Sequence, residues 1–192
     1  EEVLVNQEAV TWKQEGTLLK VKLPEPLPPG GEAALKLSFT VQVPPLGERF
    51  GARKGIISLG NWYPILAVFE DGEWRLDPYY DIGDPFYSDV ALYRVTLRLP
   101  RRYRVAATGN LREVKMLPWW QKELYFETGP VRDFALAVSK DYRVARREVE
   151  GVTVQSFYLP GQEEGGRLAL EAACAALAFF QEVFGPYPYD QF

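Results

Sequence analysis

From Ala33 to Val43 the chain alternates without a break: Leu35, Leu37, Phe39, Val41 and Val43 fall on one face, and Lys36, Ser38, Thr40 and Gln42 on the other. A period of two with one apolar face predicts a half-buried strand. Thr17 to Leu23 keeps the same rhythm through Leu19, Val21 and Leu23, and "PEPLPPGGE" between the two runs supplies a turn built from Pro and Gly. Asp89 to Leu99 predicts the next strand, with Ala91, Tyr93, Val95, Leu97 and Leu99 opposing Arg94, Thr96 and Arg98. "RVAATGN" follows as a short strand and a turn at Gly109 and Asn110, and further strands are predicted over 124–128, 134–138, 143–149 and 152–158. Many short strands with regular turn signals predict a mainly β fold, a sandwich or a saddle-like pair of sheets.

The period then changes. Glu163 to Phe184 reads as a helix, with Glu163 and Glu164 at its positive end and Gly185 and Pro186 beyond its last turn. Arg167, Glu171, Gln181 and Glu182, with the small Cys174 and Ala178 between them, trace one narrow polar stripe. Leu168, Leu177, Phe179, Phe180, Val183 and Phe184 are among the residues that make the rest apolar. A surface helix carries a broader polar face, so this one is expected to be covered on most sides. Only eight residues follow it, too few to wrap it, and its partners are expected in sequence beyond Phe192.

Composition narrows the function classes. The chain of 192 residues is 47% hydrophobic, enough for a real core, and its net charge of −4 lacks the basic excess of a nucleic-acid binder. The overall charge gives no electrostatic reason to sit on an anionic membrane, and no apolar run is long enough to span a bilayer. Cys174 alone can form neither an internal disulfide nor a cysteine zinc site; it reads as a small buried helix residue. Histidine is absent, which removes a Ser-His-Asp triad and any imidazole zinc site. No G-x-S-x-G elbow, phosphate-binding glycine loop or dinucleotide fingerprint occurs.

Candidate chemistry gathers between Gly60 and Val90. Asp71, Glu73, Asp77, Asp81, Asp84 and Asp89 offer a carboxylate pair of the kind used in glycoside hydrolysis, or the solvated carboxylates of DG, DP and GDP turns. "DIGDPFYSD" does not follow the helical calcium-loop spacing. Trp62, Tyr63, Trp74, Tyr79, Tyr80, Phe86 and Tyr87 offer a sugar-stacking platform, or the core and edge of a twisted sheet. Pro118 to Trp120, "PWW", is either a loop of exposed aromatics or a staple over the sheet end.

Several segments in order carry a resemblance. "GNWYPILAVFEDGEWRLDPYY" and then "GDPFYSDVALYRVTLRLPRRYRVAATG" resemble the N-terminal β-domain of the aminopeptidase N-like gluzincin zinc aminopeptidases. "FALAVSKDY" is similar to the strand that closes that domain. "VTVQSFYLP", the apolar helix and "FGPYPYDQF" are similar to the opening of the family's thermolysin-like catalytic domain. The likeness covers essentially the whole chain, with "YYDIGDP" standing where the family usually has P-C-x-D-x-P. The resemblance implies a β-domain over 1–141, lacking its first strands, and the start of a catalytic domain over 142–192.

The resemblance also implies what this chain does. The family's Gly-x-Met-Glu-Asn motif and H-E-x-x-H helix follow the "FGPYPY" segment and are not in this sequence. The expectation is therefore a non-catalytic N-terminal part of a zinc aminopeptidase, with no catalytic residue and no metal ligand of its own. Zinc and the peptide substrate belong to the parent enzyme, and the rest of the catalytic domain would pack on the C-terminal helix. The family's β-domain lends one Gln or Glu to the substrate amine, but the matching "GNWYP" has neither. That leaves Asn61, Trp62 and Tyr63 as candidate substrate-wall residues. The rival readings are a stand-alone carbohydrate-binding or protein-interaction β-module and a non-catalytic relative serving as a scaffold.

Overall fold

The computed structural model describes residues 2–77, 80, 82–83 and 86–192. Of the candidates above, Tyr79, Asp81 and Asp84 lie outside the described residues. In chain order the strands are β1 (Glu2–Val5), β2 (Glu8–Ala9), β3 (Trp12–Glu15), β4 (Leu18–Val21), β5 (Leu35–Ser38), β6 (Phe50–Arg53), β7 (Ile56–Leu59), β8 (Phe69–Glu70) and β9 (Glu73–Trp74). There follow β10 (Arg94–Pro100), β11 (Arg104–Ala107), β12 (Asn110–Leu117), β13 (Gln121–Glu127), β14 (Leu136–Ser139), β15 (Arg143–Val149), β16 (Val152–Tyr158) and one helix, α1 (Glu163–Phe184). The chain divides into two compact units: 1–42 with 66–88, and 43–65 with 89–192.

The smaller unit holds the antiparallel sheet β2-β1-β5 and the hairpins β3-β4 and β8-β9. Alternation along β1 turns Val3 and Val5 inward, and Val68 is the other buried apolar residue among those described in this unit. The alternating run over 33–43 forms a strand only across β5, and Leu35, Phe39 and Val41 remain exposed. Period two marks the face that would be buried; it does not supply a layer to bury it.

In the larger unit two sheets, β10-β13-β12 and β11-β14-β7-β6, share one core. The register pairs Val95 with Phe126 and Leu97 with Leu124, so alternate residues of β10 and β13 point to one face. Leu124, Phe126 and Leu136 are buried there around Phe134, which is fully enclosed. The opposite face of β10 and β13 carries polar pairs such as Arg98 Nε with Glu123 Oε2 at 2.6 Å.

β15 and β16 form a tight hairpin with α1 packed on it. The buried row of α1 is Gly166, Leu170, Cys174 and Leu177, which meets Val152 and Val154 of β16. Cys174 thus sits at the buried face and not on a polar stripe with Arg167 and Glu171. Gly166 permits the approach: a Cβ there would stand 2.3 Å from Tyr158 Cδ1. Leu168, Phe179, Phe180, Val183 and Phe184 are exposed. After Gly185 the tail runs back beside β16 in parallel, with Thr153 opposite Gln191.

Candidate functional site

A cleft of about 550 Å³ opens in the larger unit. Its floor comes from β7, β11 and β14, where Ser58, Ala106, Ala107 and Ala137 leave room above the sheet. Its walls are Gln155 and Phe157 of β16 and the tail residues Tyr187, Tyr189, Gln191 and Phe192. The tail is held by backbone bonds from Thr153 N to Asp190 O at 2.9 Å, from Phe192 N to Thr153 O at 2.9 Å and from Gln155 N to Phe192 O at 2.8 Å. Side chains fasten it further. Tyr189 donates its hydroxyl to Pro130 O at 2.7 Å, Asn110 Nδ2 donates to Asp190 Oδ2 at 2.7 Å, and Gln191 Nε2 donates to Gly109 O.

Small and apolar residues make up most of the lining. Arg49 is the one charged side chain among the described lining residues, and no carboxylate lines the cleft. The other polar side chains are the amides of Asn110, Gln155 and Gln191, the phenols of Tyr187 and Tyr189, and the hydroxyls of Ser58, Thr108 and Thr128, groups that can hydrogen-bond a ligand. Burial pushes the Tyr187 phenol above its ordinary range, with Tyr189 adding to the effect, so it stays a neutral donor. A second groove of about 630 Å³ is edged by Arg94, Arg112, Glu127 and Asp190. Arg112 lies 3.7 Å from both Glu127 and Asp190, and Arg94 lies 3.7 Å from Glu127. These exposed pairs add little stability.

The three predicted wall residues lie beside the cleft, and only their neighbour Gly60 is in its lining. Trp62 Nε1 donates to Phe134 O at 3.0 Å. The Tyr63 hydroxyl donates to Asp133 Oδ1 at 2.9 Å and accepts from Phe134 N at 3.2 Å. Both rings pack on the shared core, edge to face with centroids 5.3 Å apart. Asn61 has a left-handed φ of 51° and its Oδ1 faces Arg49 Nη1 at 3.5 Å. The structure therefore brings Trp62 and Tyr63 to Phe134, and Asn61 to the cationic edge of the cleft.

Tyr63 gives a testable pH dependence. Burial first, and then its hydrogen bond with Tyr93, raise its phenol well above the ordinary range. The unfolded phenol titrates near pH 10. Stability from this group is thus complete below about pH 10 and is lost as pH rises beyond it, because the unfolded state then sheds the proton first. Tyr63→Phe should flatten part of that alkaline loss in urea titrations, and should cost roughly 1–2 kcal/mol at neutral pH by leaving Phe134 N without its acceptor.

The remaining candidates are distributed differently. Asp71 and Glu73 each approach Arg75 at 3.3 Å, with Glu70 closer at 2.6 Å, so they form an ion cluster at the β8-β9 hairpin. Asp77 and Asp89 are exposed. Trp74 packs edge-on against Phe69 at 5.0 Å, and the Tyr87 hydroxyl donates to Glu70 Oε2 at 3.2 Å. Trp62 and Tyr63 fall in the larger unit, and Trp74, Tyr80, Phe86 and Tyr87 in the smaller. Among the described residues no group of three or more His, Cys, Asp and Glu could hold a metal ion. The sequence holds no histidine, and its one thiol, Cys174, is buried.

Gln155, Tyr187, Tyr189 and Gln191 emerge as cleft residues only in three dimensions. Their segments, "VTVQSFYLP" and "FGPYPYDQF", stand out in the sequence, but a parallel pairing between a strand and a Pro-rich tail leaves no periodic trace.

The two-sheet core, the following hairpin and the single helix on it make up a fold seen in the M1 zinc metallopeptidases, the aminopeptidase N-like group. Over 100% of its length the chain is similar to the M1 zinc metallopeptidase from Deinococcus radiodurans, with a TM-score of 0.70 and 22% identity, covering 44% of that chain. It is similar also to a two-domain M1 zinc metallopeptidase variant bound to L-tryptophan (TM-score 0.70, 22% identity, all of this chain and 45% of that one). The L-arginine complex matches with a TM-score of 0.68 and 21% identity, again over all of this chain and 45% of the other. The chain thus spans less than half the length of these structures, and the likeness establishes the fold. No protein-family model matches the chain, and no curated protein matches it.

Proposed function

We propose that this chain is the non-catalytic N-terminal part of a zinc-dependent aminopeptidase that removes N-terminal amino acids from peptides. The supporting observation is the whole-chain similarity to M1 zinc metallopeptidases, some of them holding a free amino acid and one a Tyr-Ser-Ala substrate. In this reading residues 1–141 are a β-domain and 142–192 open the catalytic domain. Zinc is bound elsewhere in the parent and supplies Lewis-acid activation of water there. This chain contributes a wall, in which Trp62 and Tyr63 fix the loop at Phe134 and Asn61 stands at the substrate side. The sequence continuing past Phe192 in the natural polypeptide tests the reading. A continuation with H-E-x-x-H supports it, and a natural end at Phe192 overturns it.

The exposed row of Leu168, Phe179, Phe180, Val183 and Phe184 is, in the same reading, the seat of the remaining catalytic domain. The isolated chain is then expected to self-associate. Sedimentation velocity should show the fraction of monomer rising when Phe179 and Phe180 are both replaced by serine. An unchanged distribution removes the helix as the cause.

A further inference from the structure

The hairpin turn between β12 and β13 carries two tryptophans where glycine or asparagine is the usual choice. Trp119 and Trp120 have φ of 58° and 57°, and Gln121 N donates to Pro118 O across them at 3.3 Å. Paired left-handed positions favour Asn-Gly, since a Cβ is disfavoured at both. The indoles do not staple the sheet: they are 90% and 81% exposed. Nearby, Met116 on the edge strand β12 is exposed as well.

The charge around this turn is one-sided. Residues 98–104 and 114–122 contain six Lys and Arg and no Asp or Glu, in a chain whose net charge is −4. The β10-β11 turn lies against the tryptophan turn. Arg101 N donates to Trp120 O at 2.8 Å, Arg101 Nη2 donates to Leu117 O at 2.7 Å, and its guanidinium stands 5.8 Å from the Trp120 ring centre. Lys122 and Arg104 crowd one another behind it; burial, and then the Arg104 charge, lower the Lys122 pKa. Two acids flank the second run, Glu113 and Glu123, and Arg98 engages Glu123 at 2.6 Å.

We propose that this end of the larger unit is a docking site for an anionic lipid bilayer, with Trp119 and Trp120 entering the interface and the exposed Arg101, Arg102 and Arg104 meeting lipid phosphates. Indole rings settle at the headgroup level because one edge is polar and the body apolar. Guanidinium and ammonium groups at the same depth gain from the negative surface potential. Among the described residues Arg101 is the one that stands against a ring face of this protruding pair, and the surrounding positive charge complements an anionic surface. The local excess also orients a molecule whose total charge is negative, which the net charge alone conceals.

Co-sedimentation of the 192-residue chain with vesicles tests this. Vesicles of equal parts phosphatidylglycerol and phosphatidylcholine should carry the chain down, pure phosphatidylcholine vesicles should not, and about 1 M salt should weaken the binding by screening. Trp119→Asn combined with Trp120→Gly supplies the residues the turn prefers, so the hairpin should fold, and the affinity should fall about tenfold or more. Arg102→Gln should weaken it about fivefold. Equal binding to both vesicle types overturns the proposal. So does undiminished binding by the double variant, which would move the effect to the exposed face of α1. Absence of binding to either vesicle also overturns it and leaves a protein partner as the occupant of the tip.

Discussion

Replacing Phe134 by alanine is expected to destabilise the larger unit by about 3–5 kcal/mol. The ring is 0% exposed and lies between the two sheets, against Phe126 at 6.1 Å and Tyr93 at 6.2 Å between centroids. Truncation removes its transfer free energy and leaves a hole that strands fixed by ladder pairing cannot close. Phe134 is also the residue whose backbone N–H and C=O hold Tyr63 and Trp62. Loosening it therefore releases Asn61 and the edge of the cleft. A loss of this size is a large share of an ordinary domain's stability, about 5–15 kcal/mol. Urea unfolding of the variant should show the shift in midpoint with little change in slope; a shift below about 1 kcal/mol would mean that Phe134 is not the centre of this core.

The second large effect is expected at Gly109. Its φ is 81°, and a Cβ there would stand 2.6 Å from Glu127 O and 2.5 Å from Thr128 Cγ2. Gly109→Ala meets both penalties, the left-handed backbone and a clash with a strand carbonyl, each roughly 1–3 kcal/mol. The consequence reaches the cleft, because Gly109 O accepts from Gln191 and the adjacent Asn110 holds Asp190. Hydrogen exchange at Phe192 N, which donates to Thr153 O, should accelerate in this variant more than exchange within β10. Uniform acceleration across the larger unit would indicate general unfolding and not release of the tail.

The two expected results separate what the residue pattern carries from what packing adds. Alternation located β15 and β16, and the change of period located α1, at their observed bounds; it placed β10 and β13 to within about five residues at their starts. It did so because each buries one regular face, which repeats at period two or 3.6. It overran at β5, where Leu35, Phe39 and Val41 stay exposed, and it did not mark β1 to β3, the short strands β6 to β9, or the eight-residue β12. For such two- to four-residue strands the pairing partner, not the local pattern, decides the conformation.

The site was less legible still. Asn61, Trp62 and Tyr63 stand in an aromatic stretch that reads equally as a wall or as core. The destination of the Trp62 indole and the Tyr63 phenol, on the backbone at Phe134, depends on contacts more than seventy residues apart in sequence. The cleft itself needs β7, β11, β14, β16 and the tail at once.

By itself the sequence determined the mainly β class, the span of the helix and the exclusion of histidine-based chemistry, because these follow from local period and from residue inventory. The order of its segments also pointed to the M1 zinc metallopeptidase fold. Only the tertiary structure decided which apolar residues are buried. It also decided that Cys174 faces the β16 hairpin, that Gln155 meets the returning tail, and that two tryptophans project beside Arg101 from one end of a sheet. Burial, cleft and patch are properties of residues brought together from distant parts of the chain, and no local period encodes which distant strand will arrive.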